Sequence, residues 1–396
     1  MKKTGVYELR NKLAVTFVLM LFVLLVAGCA ETPTPVGARL LPGSDLLHLD
    51  TLVVTATQSY NGPAFPATSG SPRALVGRYR NLTCYGIYRF GTIPDSIRTM
   101  PMISAEMDLR ALYHFGDSLA AFSMTAHQIL MNWGTDSLNI DSINAPGFYQ
   151  TSPCGSFSAG SIGDTIGITI PLDTNVVRAW GTYSDTTLTN FGVLLRPTNS
   201  NVIKGFGTFN VTNTDYLPKL LLRFKDTTGN VDTCIVNLGS TRFITTGQSA
   251  SWPSDSTHLW VMNGGASRGY VRFDVSGIPA HAAIHKATLE LTLDSKNSMT
   301  NYFTADSAIA YYTNDDSTTS LSITALGTGL QVGANMLFDF PVGSFVQRWV
   351  RAAKVPVIAV AGFDEQMSLD LFSFYGIKNQ AVAVKPKLTI IYSILQ

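Results

Sequence analysis

The chain has 396 residues, of which 45% are hydrophobic and 14% are charged. This composition is typical of a folded, weakly charged protein and excludes an intrinsically disordered one. The formal net charge of +1 creates no summed field that attracts phosphate backbones, so nucleic acid is excluded as a partner.

The N-terminus has the features of an export signal. Several basic residues precede an apolar run from Leu13 to Val26, which has the length of a signal-peptide core and is short for a membrane span. The run ends in VAGC, residues 26 to 29, which resembles the bacterial lipobox. An ordinary signal peptide followed by a chance cysteine is the alternative. We predict a lipoprotein signal peptide over residues 1–28 and lipidation of Cys29.

A lipidated Cys29 would anchor the mature protein in a bilayer. Each buried CH₂ group contributes ~0.8 kcal/mol, and the several acyl chains implied by the lipobox exceed what stable anchoring requires. The stretch that follows, AETPTPVGARLLPGSD, is rich in Pro, Gly and small polar residues and is typical of a linker. We therefore predict a tether over residues 29–49 and a location in the cell envelope, at the outer membrane or cell surface.

Three further cysteines, Cys84, Cys154 and Cys234, show no C-x-x-C spacing, which argues against a zinc knuckle or a thioredoxin-like redox site. An exported protein can form disulfides, and Cys84 with Cys154 is the pair that falls within one predicted domain. Three buried thiols without a bond are the alternative. The sequence leaves both open.

Three blocks of sequence occur twice, in the same order. GIYRFGTIP at 86–94 aligns with GYVRFDVSGIP at 269–279, NVVRAWG at 175–181 with SFVQRWV at 344–350, and YLPKLLLRF at 216–224 with VKPKLTIIY at 384–392. Such order and spacing indicate an internal repeat. The sequence therefore predicts two copies of one domain.

The blocks carry the periodicities of strands and of one short helix. In VRFDV and ATLELTL, apolar residues alternate with polar ones, as in a strand with one face on a core. Phe345 and Trp349 stand at i, i+4, which predicts a helical turn. Trp180 stands at the position equivalent to Trp349, so both are predicted to be core residues.

The rest of the chain consists of short apolar runs separated by turn residues. This pattern predicts an all-β fold with two tandem jelly-roll-like β-sandwich domains. We place the first over residues 50–226 and the second over 231–396, with DTTGNVD (226–232) as the joint between them.

The second copy resembles the DNRLRE-type domain, a β-sandwich module of bacterial and archaeal proteins. The resemblance is carried by YVRFDVSGIPAHAAIHKATLELTL, FVQRWV and FSFYGIKNQAVAVKPKLTIIYS. It covers residues 233–393 well and 50–224 weakly, because Gly91 and Phe224 replace the residues at Asp274 and Tyr392. The resemblance implies a non-catalytic module of surface or secreted proteins, with carbohydrate binding in some relatives.

A second resemblance agrees with the predicted anchor. PVGARLLPGSDLLHLDTLVV and ALVGRYRNLTCYG look like the opening of a family of surface lipoproteins of unknown function. This resemblance implies no particular chemistry.

No motif in the sequence specifies a catalytic, metal or cofactor site. Residues 265–269 match G-x-S-x-G, but the strand YVRFDV follows Ser267 where a nucleophile elbow needs a helix. Trp133, Trp252 and Trp260 lie outside the repeated blocks, the last two in a loop-rich stretch. An exposed indole can stack on a sugar ring, so these three are the candidate ligand-binding residues; packing roles are the alternative for each.

We therefore expect a lipid-anchored, non-catalytic envelope protein whose modules bind polysaccharide or another surface component. A structural or assembly protein of the envelope without a carbohydrate ligand is the first alternative. A polysaccharide lyase or hydrolase is the second, and it rests on fold-level analogy alone.

Overall fold

The computed structural model describes residues 49–63, 68–80, 82–134, 138–181, 190–198, 201–246, 257–264, 267–300, 307–313, 319–352 and 356–394. The predicted signal peptide, Cys29 and nearly all of the predicted tether lie outside these ranges. Residues 50–396 form one compact unit. None of the helices in the described ranges is both long enough and apolar enough to cross a bilayer.

The described chain is built mainly of β-strands. In the N-terminal half these are β1 Leu49–Thr55, β2 Gln58–Pro63, β3 Arg73–Tyr79, β4 Leu82–Phe90, β5 Met102–Gly116, β6 Phe122–Gln128, β7 Gly155–Ala159, β8 Gly167–Leu172, β9 Val193–Pro197, β10 Val202–Gly207, β11 Lys219–Lys225 and β12 Val231–Thr246. In the C-terminal half they are β13 His258–Met262, β14 Ser267–Arg272, β15 Ala283–Leu293, β16 Ser307–Thr313, β17 Thr319–Val332, β18 Asn335–Pro341, β19 Val357–Gly362, β20 Leu371–Tyr375 and β21 Lys387–Ser393.

The helices within the described ranges are short. They are α1 Asp95–Arg98, α2 Ile140–Asn144, α3 Thr174–Gly181 and α4 Gly343–Ala352, with 3₁₀ turns at Thr68–Gly70, Thr214–Tyr216 and Val382–Val384. The all-β sandwich class predicted from sequence is confirmed.

The strands form two antiparallel sheets whose layouts match. We call β3–β11 with α3 the first module, and β13–β21 with α4 the second module. The same nine strand pairings occur in both modules. In the first module they are β10–β3, β3–β4, β4–β9, β9–β6, β6–β7, β7–β8, β8–β5, β5–β11 and β10–β5. In the second module the equivalent pairings, in the same order, are β20–β13, β13–β14, β14–β19, β19–β16, β16–β17, β17–β18, β18–β15, β15–β21 and β20–β15. Gly86 pairs with Leu195 just as Gly269 pairs with Val360, so the aligned glycines occupy equivalent sites.

Each module buries a core of the kind the periodicity predicts. Leu289 and Leu291 of β15 are fully buried, and Trp349 of α4 is buried at 1% exposure. Trp180 of α3 occupies the same place in the first module and is 4% exposed. Both tryptophans are core residues, as predicted.

The boundaries of the two modules differ from the predicted domain boundaries, because each module is completed by a strand or strands from outside its predicted range. In the first module β12 pairs with β11 through its first half and with β4 through its second half. In the second module β1 pairs with β21 and β2 pairs with β14. We call β12 and β1–β2 the closing strands. Residues 231–246 therefore complete the first sheet, and residues 49–63 complete the second.

DTTGNVD, predicted as a joint between domains, forms the hairpin turn between β11 and β12 (226–230) and the first two residues of β12. The Asp226 carboxylate accepts hydrogen bonds from the backbone N–H groups of Thr228 and Asn230, both at 2.8 Å. Gly229 has φ of 86°, a conformation that favours glycine in tight turns. The Asp and Gly of the predicted joint make a compact turn here.

The two modules share apolar packing. Trp260, Met262, Leu369 and Leu371 of the second module belong to the same buried cluster as the core of the first. The Tyr113 hydroxyl of β5 also accepts a hydrogen bond from the Leu369 N–H at 3.2 Å. The predicted tandem halves are thus joined by buried contacts.

Candidate functional site

One row of side chains on the outer face of the second sheet brings three tyrosines together. Tyr270 of β14 lies opposite Tyr60 of β2 on one side and opposite Ala359 of β19 on the other. Ala359 in turn lies opposite Tyr311 of β16. The neighbouring residue Val271 points into the core, so this row points away from it. We call Tyr60, Tyr270, Ala359 and Tyr311 the tyrosine row.

The rings of the row are ordered and partly exposed. Tyr60 and Tyr270 stack with ring centroids 5.0 Å apart and planes 5° apart. Tyr60, Tyr270 and Tyr311 are all half-buried, whereas Ala359 is fully covered. Because strands in a sheet lie about 4.8 Å apart, Tyr270 and Tyr311 stand roughly 10 Å apart with the alanine between them.

The side chain of Arg268 lies against one end of the tyrosine row, at Tyr311. Its guanidinium carbon lies 5.4 Å from the centroid of the Tyr311 ring, a cation–π geometry. Glu365, in the loop after β19, accepts from Arg268 Nε at 2.8 Å and from Nη2 at 2.6 Å. The two side chains are 16% and 10% exposed. This bidentate pair fixes the guanidinium against the tyrosine row.

The charges in this cluster keep its groups in defined protonation states. The Glu365 hydrogen bond raises the pKa of Arg268, so the guanidinium stays charged. Burial, with the nearby Glu365 carboxylate, raises the pKa of Tyr311, so its hydroxyl stays neutral. The cluster therefore offers half-exposed neutral rings beside a fixed ion pair.

The equivalent face of the first module is buried. There the corresponding row is Arg242, Ile87, Leu194 and His127, and all four are buried. A 26-residue connection between β6 and β7, residues 129–154, covers this face, whereas five residues, 314–318, join β16 to β17. The two modules thus share a layout and differ in whether this face is accessible.

Trp133 is part of that covering connection. It is 5% exposed, its Nε1 donates to the Phe191 carbonyl at 2.7 Å, and Arg89 stacks on its ring at 4.7 Å. Trp260 is 7% exposed and lies in the apolar cluster shared by the modules. Burial leaves neither indole free to stack on a sugar, which corrects the prediction for both. Trp252 lies outside the described residues.

Of the two alternatives left open for Cys84 and Cys154, the structure has the one without a bond, because both are free thiols. The Cys84 thiol lies 3.4 Å from the Thr245 hydroxyl, and the Cys154 thiol donates to the Ala126 carbonyl at 3.4 Å. Burial raises the pKa of Cys84 to about 12 and that of Cys154 to about 11. These thiols behave as small buried core groups.

Ser267 is the first residue of β14 and is followed by strand rather than helix. Among the residues that the structure describes, no three His, Cys, Asp or Glu side chains come together in a group that could hold a metal ion. The tyrosine row is therefore the feature with the clearest binding character in the described ranges.

No family model and no curated protein matches the chain. Among solved structures, it is similar to the VP2 subviral particle of infectious bursal disease virus at 12% identity, covering 89% of this chain and 78% of that one, with a TM-score of 0.12. A mutant VP2 of the same virus gives 13% identity, 88% and 74% coverage, and a TM-score of 0.11. Similarities this low do not bear on function.

Proposed function

We propose that the protein is a lipid-anchored, non-catalytic component of a bacterial cell envelope and that its second module binds polysaccharide on the tyrosine row. The observation that carries the binding proposal is the alignment of Tyr60, Tyr270 and Tyr311 on one accessible sheet face. A sugar ring packs its apolar C–H face on an aromatic ring, and neighbouring polar groups bond its hydroxyls. Arg268 and Glu365 supply such groups beside the rings.

The contrast between the modules supports this proposal. If the face served only to complete the fold, a covered row like that of the first module would suffice there. In the second module, tyrosines replace Ile87 and His127, and the covering connection is replaced by a short one. Aromatic residues combine large contact area with low conformational entropy, which suits a recognition surface.

Replacing a tyrosine of the row is expected to weaken polysaccharide binding selectively. The soluble chain of residues 30–396 would be screened on a polysaccharide array, and hits would be titrated with the Tyr270→Ala and Tyr311→Ala variants. Loss of one stacking contact of about 1.4 kcal/mol lowers affinity roughly tenfold.

Tyr216→Ala is the matched control, because Tyr216 is also half-buried and lies 5.4 Å under an arginine, Arg110, but belongs to the first module. It should bind as the parent chain does. Absence of binding across the array, or equal loss in all three variants, would contradict the carbohydrate proposal and favour an assembly role.

The anchor is tested separately at Cys29. Cys29→Ala in the full-length chain removes the thiol that carries the acyl group, so the protein should move from the membrane pellet to the soluble fraction and lose its metabolically incorporated fatty-acid label. A variant that stays in the pellet with unchanged electrophoretic mobility would rule out lipidation at this residue. The result is independent of polysaccharide binding.

A further inference from the structure

Each module is completed by the segment that precedes the other module in sequence. β1–β2 precede the first module and complete the second, whereas β12 precedes the second module and completes the first. The chain is therefore a reciprocally exchanged pair of two similar units. Exchange of an identical element between units is a low-cost route to association.

The contacts of β2 in the second module are extensive and use the backbone. Residues from Gln58 opposite Arg272 to Gly62 opposite Arg268 form a continuous antiparallel ladder. The Asn61 amide bridges to β13: its Oδ1 accepts from the Trp260 N–H at 2.9 Å, and its Nδ2 donates to the His258 carbonyl at 3.4 Å.

β1 and the residues around it add apolar contacts and further hydrogen bonds. Leu52 and Val54 pack against the second core, which includes Ala56. The Ala56 N–H donates to the Pro386 carbonyl at 2.9 Å, and the Ser59 hydroxyl accepts from the Ile377 N–H at 3.0 Å. The groove between β21 and β14 is thus a strand-acceptor site whose apolar and hydrogen-bonding groups fit residues 49–63.

The first module offers β1–β2 no comparable place. Its β11 edge pairs with Val231–Asn237 of β12, and its β4 edge pairs with the second half of the same strand. A five-residue turn, 226–230, ties β12 to β11, so this closing strand stays with its module. The β1–β2 segment, by contrast, is joined to its acceptor module only through the whole of the first module.

We propose that β1–β2 of one copy inserts into the second module of another copy, linking molecules head to tail. The partner is a second copy of this chain, because the acceptor groove is occupied by β1–β2 of this same sequence. All contacts of β1–β2 are the same whether the segment comes from the same chain or another. The protein concentration therefore decides between the closed and the exchanged form. The closed form predominates below the effective concentration of β1–β2 at the acceptor groove of its own chain, which is on the order of millimolar for short connections.

Head-to-tail insertion leaves a free closing segment at one end and an open acceptor groove at the other. Such heterologous contacts continue into chains of molecules unless the geometry closes them into a ring. Crowding on a surface favours this linked form over the closed monomer. The exchange concerns assembly, and it holds or fails independently of polysaccharide binding.

Cysteine pairs across the exchanged strands test the proposal with the soluble chain of residues 30–396. One copy carries Gln58→Cys and a differently tagged copy carries Arg272→Cys, since these residues face each other across β2 and β14. Both copies carry Cys234→Ser, because Cys234 is a partly exposed free thiol. The two are mixed, unfolded in urea, refolded together over a range of concentrations and oxidised.

The matched control places Glu290→Cys in one copy and Lys387→Cys in the other. These residues also face each other, across β15 and β21, but both strands belong to one module and do not exchange. Exchange predicts a disulfide between the two tags for the first pair, rising with concentration and exceeding the control on the order of tenfold near millimolar chain. Interchain product no greater than the control at every concentration would overturn the proposal, as would a parent chain that stays monomeric after refolding near that concentration.

Discussion

A chain that begins at Thr68, and so lacks β1 and β2, is expected to lose the fold of its second module. The deletion uncovers the β21 and β14 edges and removes Leu52, Val54 and Ala56 from contact with the second core. These side chains contribute about 3–5 kcal/mol in total, since complete burial of one aliphatic side chain contributes 1.5–3 kcal/mol. A domain is stable by only about 5–15 kcal/mol, so this loss, to which the loss of the β2 backbone ladder adds, is a large fraction of the total.

Amide hydrogen exchange resolved along the chain measures this effect. Strands β14 and β21 are expected to exchange fast in the truncated chain, while β3–β11, completed by β12, keep most of their protection. Exposed sheet edges also pair with other chains, so the truncated chain should aggregate. Parent-like protection of β14 and β21 after truncation would contradict the assignment of β1–β2 as closing strands.

Two point substitutions in β1 provide a matched pair. Leu52 packs against the second core, whereas the adjacent Val53 is 56% exposed. Leu52→Ala should lower the free energy of unfolding by about 2 kcal/mol, at the low end for a partly buried leucine. Val53→Ala should change it by less than about 0.5 kcal/mol. The difference separates core packing from a general effect on the strand.

The internal repeat was the most predictable part of this fold. Gly86 and Gly269, aligned from sequence alone, occupy the same position between equivalent strands. Trp180 and Trp349 lie on equivalent helices and are buried. These features follow from local periodicity, in which each residue's surroundings are set by neighbours close in sequence.

The exchange of closing strands was not predictable, because strand pairing is decided by contacts distant in sequence. β2 pairs with β14 across about two hundred residues, and nothing in QSYNGP specifies that partner. The turn at Asp226 was also not predictable from its local sequence. Gly and Asn are typical both of linkers and of hairpin turns, and only the pairing of β12 with β11 distinguishes the two.

The candidate site was missed for a related reason. The candidates predicted from sequence were tryptophans outside the repeated blocks, with packing as the alternative, and Trp133 and Trp260 are buried by packing that no local pattern reveals. Tyr270 lies within the repeated block, at an outward position of a predicted strand. Tyr311 lies at an outward position of β16. Comparing the blocks would have shown Ile87 in place of Tyr270, but the alignment of Tyr60 and Tyr311 beside it requires the sheet register.

Breaking the Arg268–Glu365 pair is expected to destabilise the protein strongly, and removing both charges to restore much of the loss. Glu365→Gln or Arg268→Met alone leaves one nearly buried charge without its bidentate partner. Such a change costs roughly 3 kcal/mol, the lower end for buried pairs because both side chains keep slight exposure. The double variant Arg268→Met with Glu365→Gln leaves no unpaired charge, so its loss should be well below the sum of the single losses.

Urea unfolding of the four chains yields the coupling free energy between the two side chains. The matched control is Lys387 and Glu290, which form an ion pair at 2.7 Å with side chains 40% and 27% exposed. Solvent screens that pair, so its coupling should be below about 1 kcal/mol. Equal coupling for both pairs would mean that Arg268 and Glu365 are solvated like a surface pair. The guanidinium would then be free to leave Tyr311, and the tyrosine row would lose the fixed charge that distinguishes it from an ordinary sheet face.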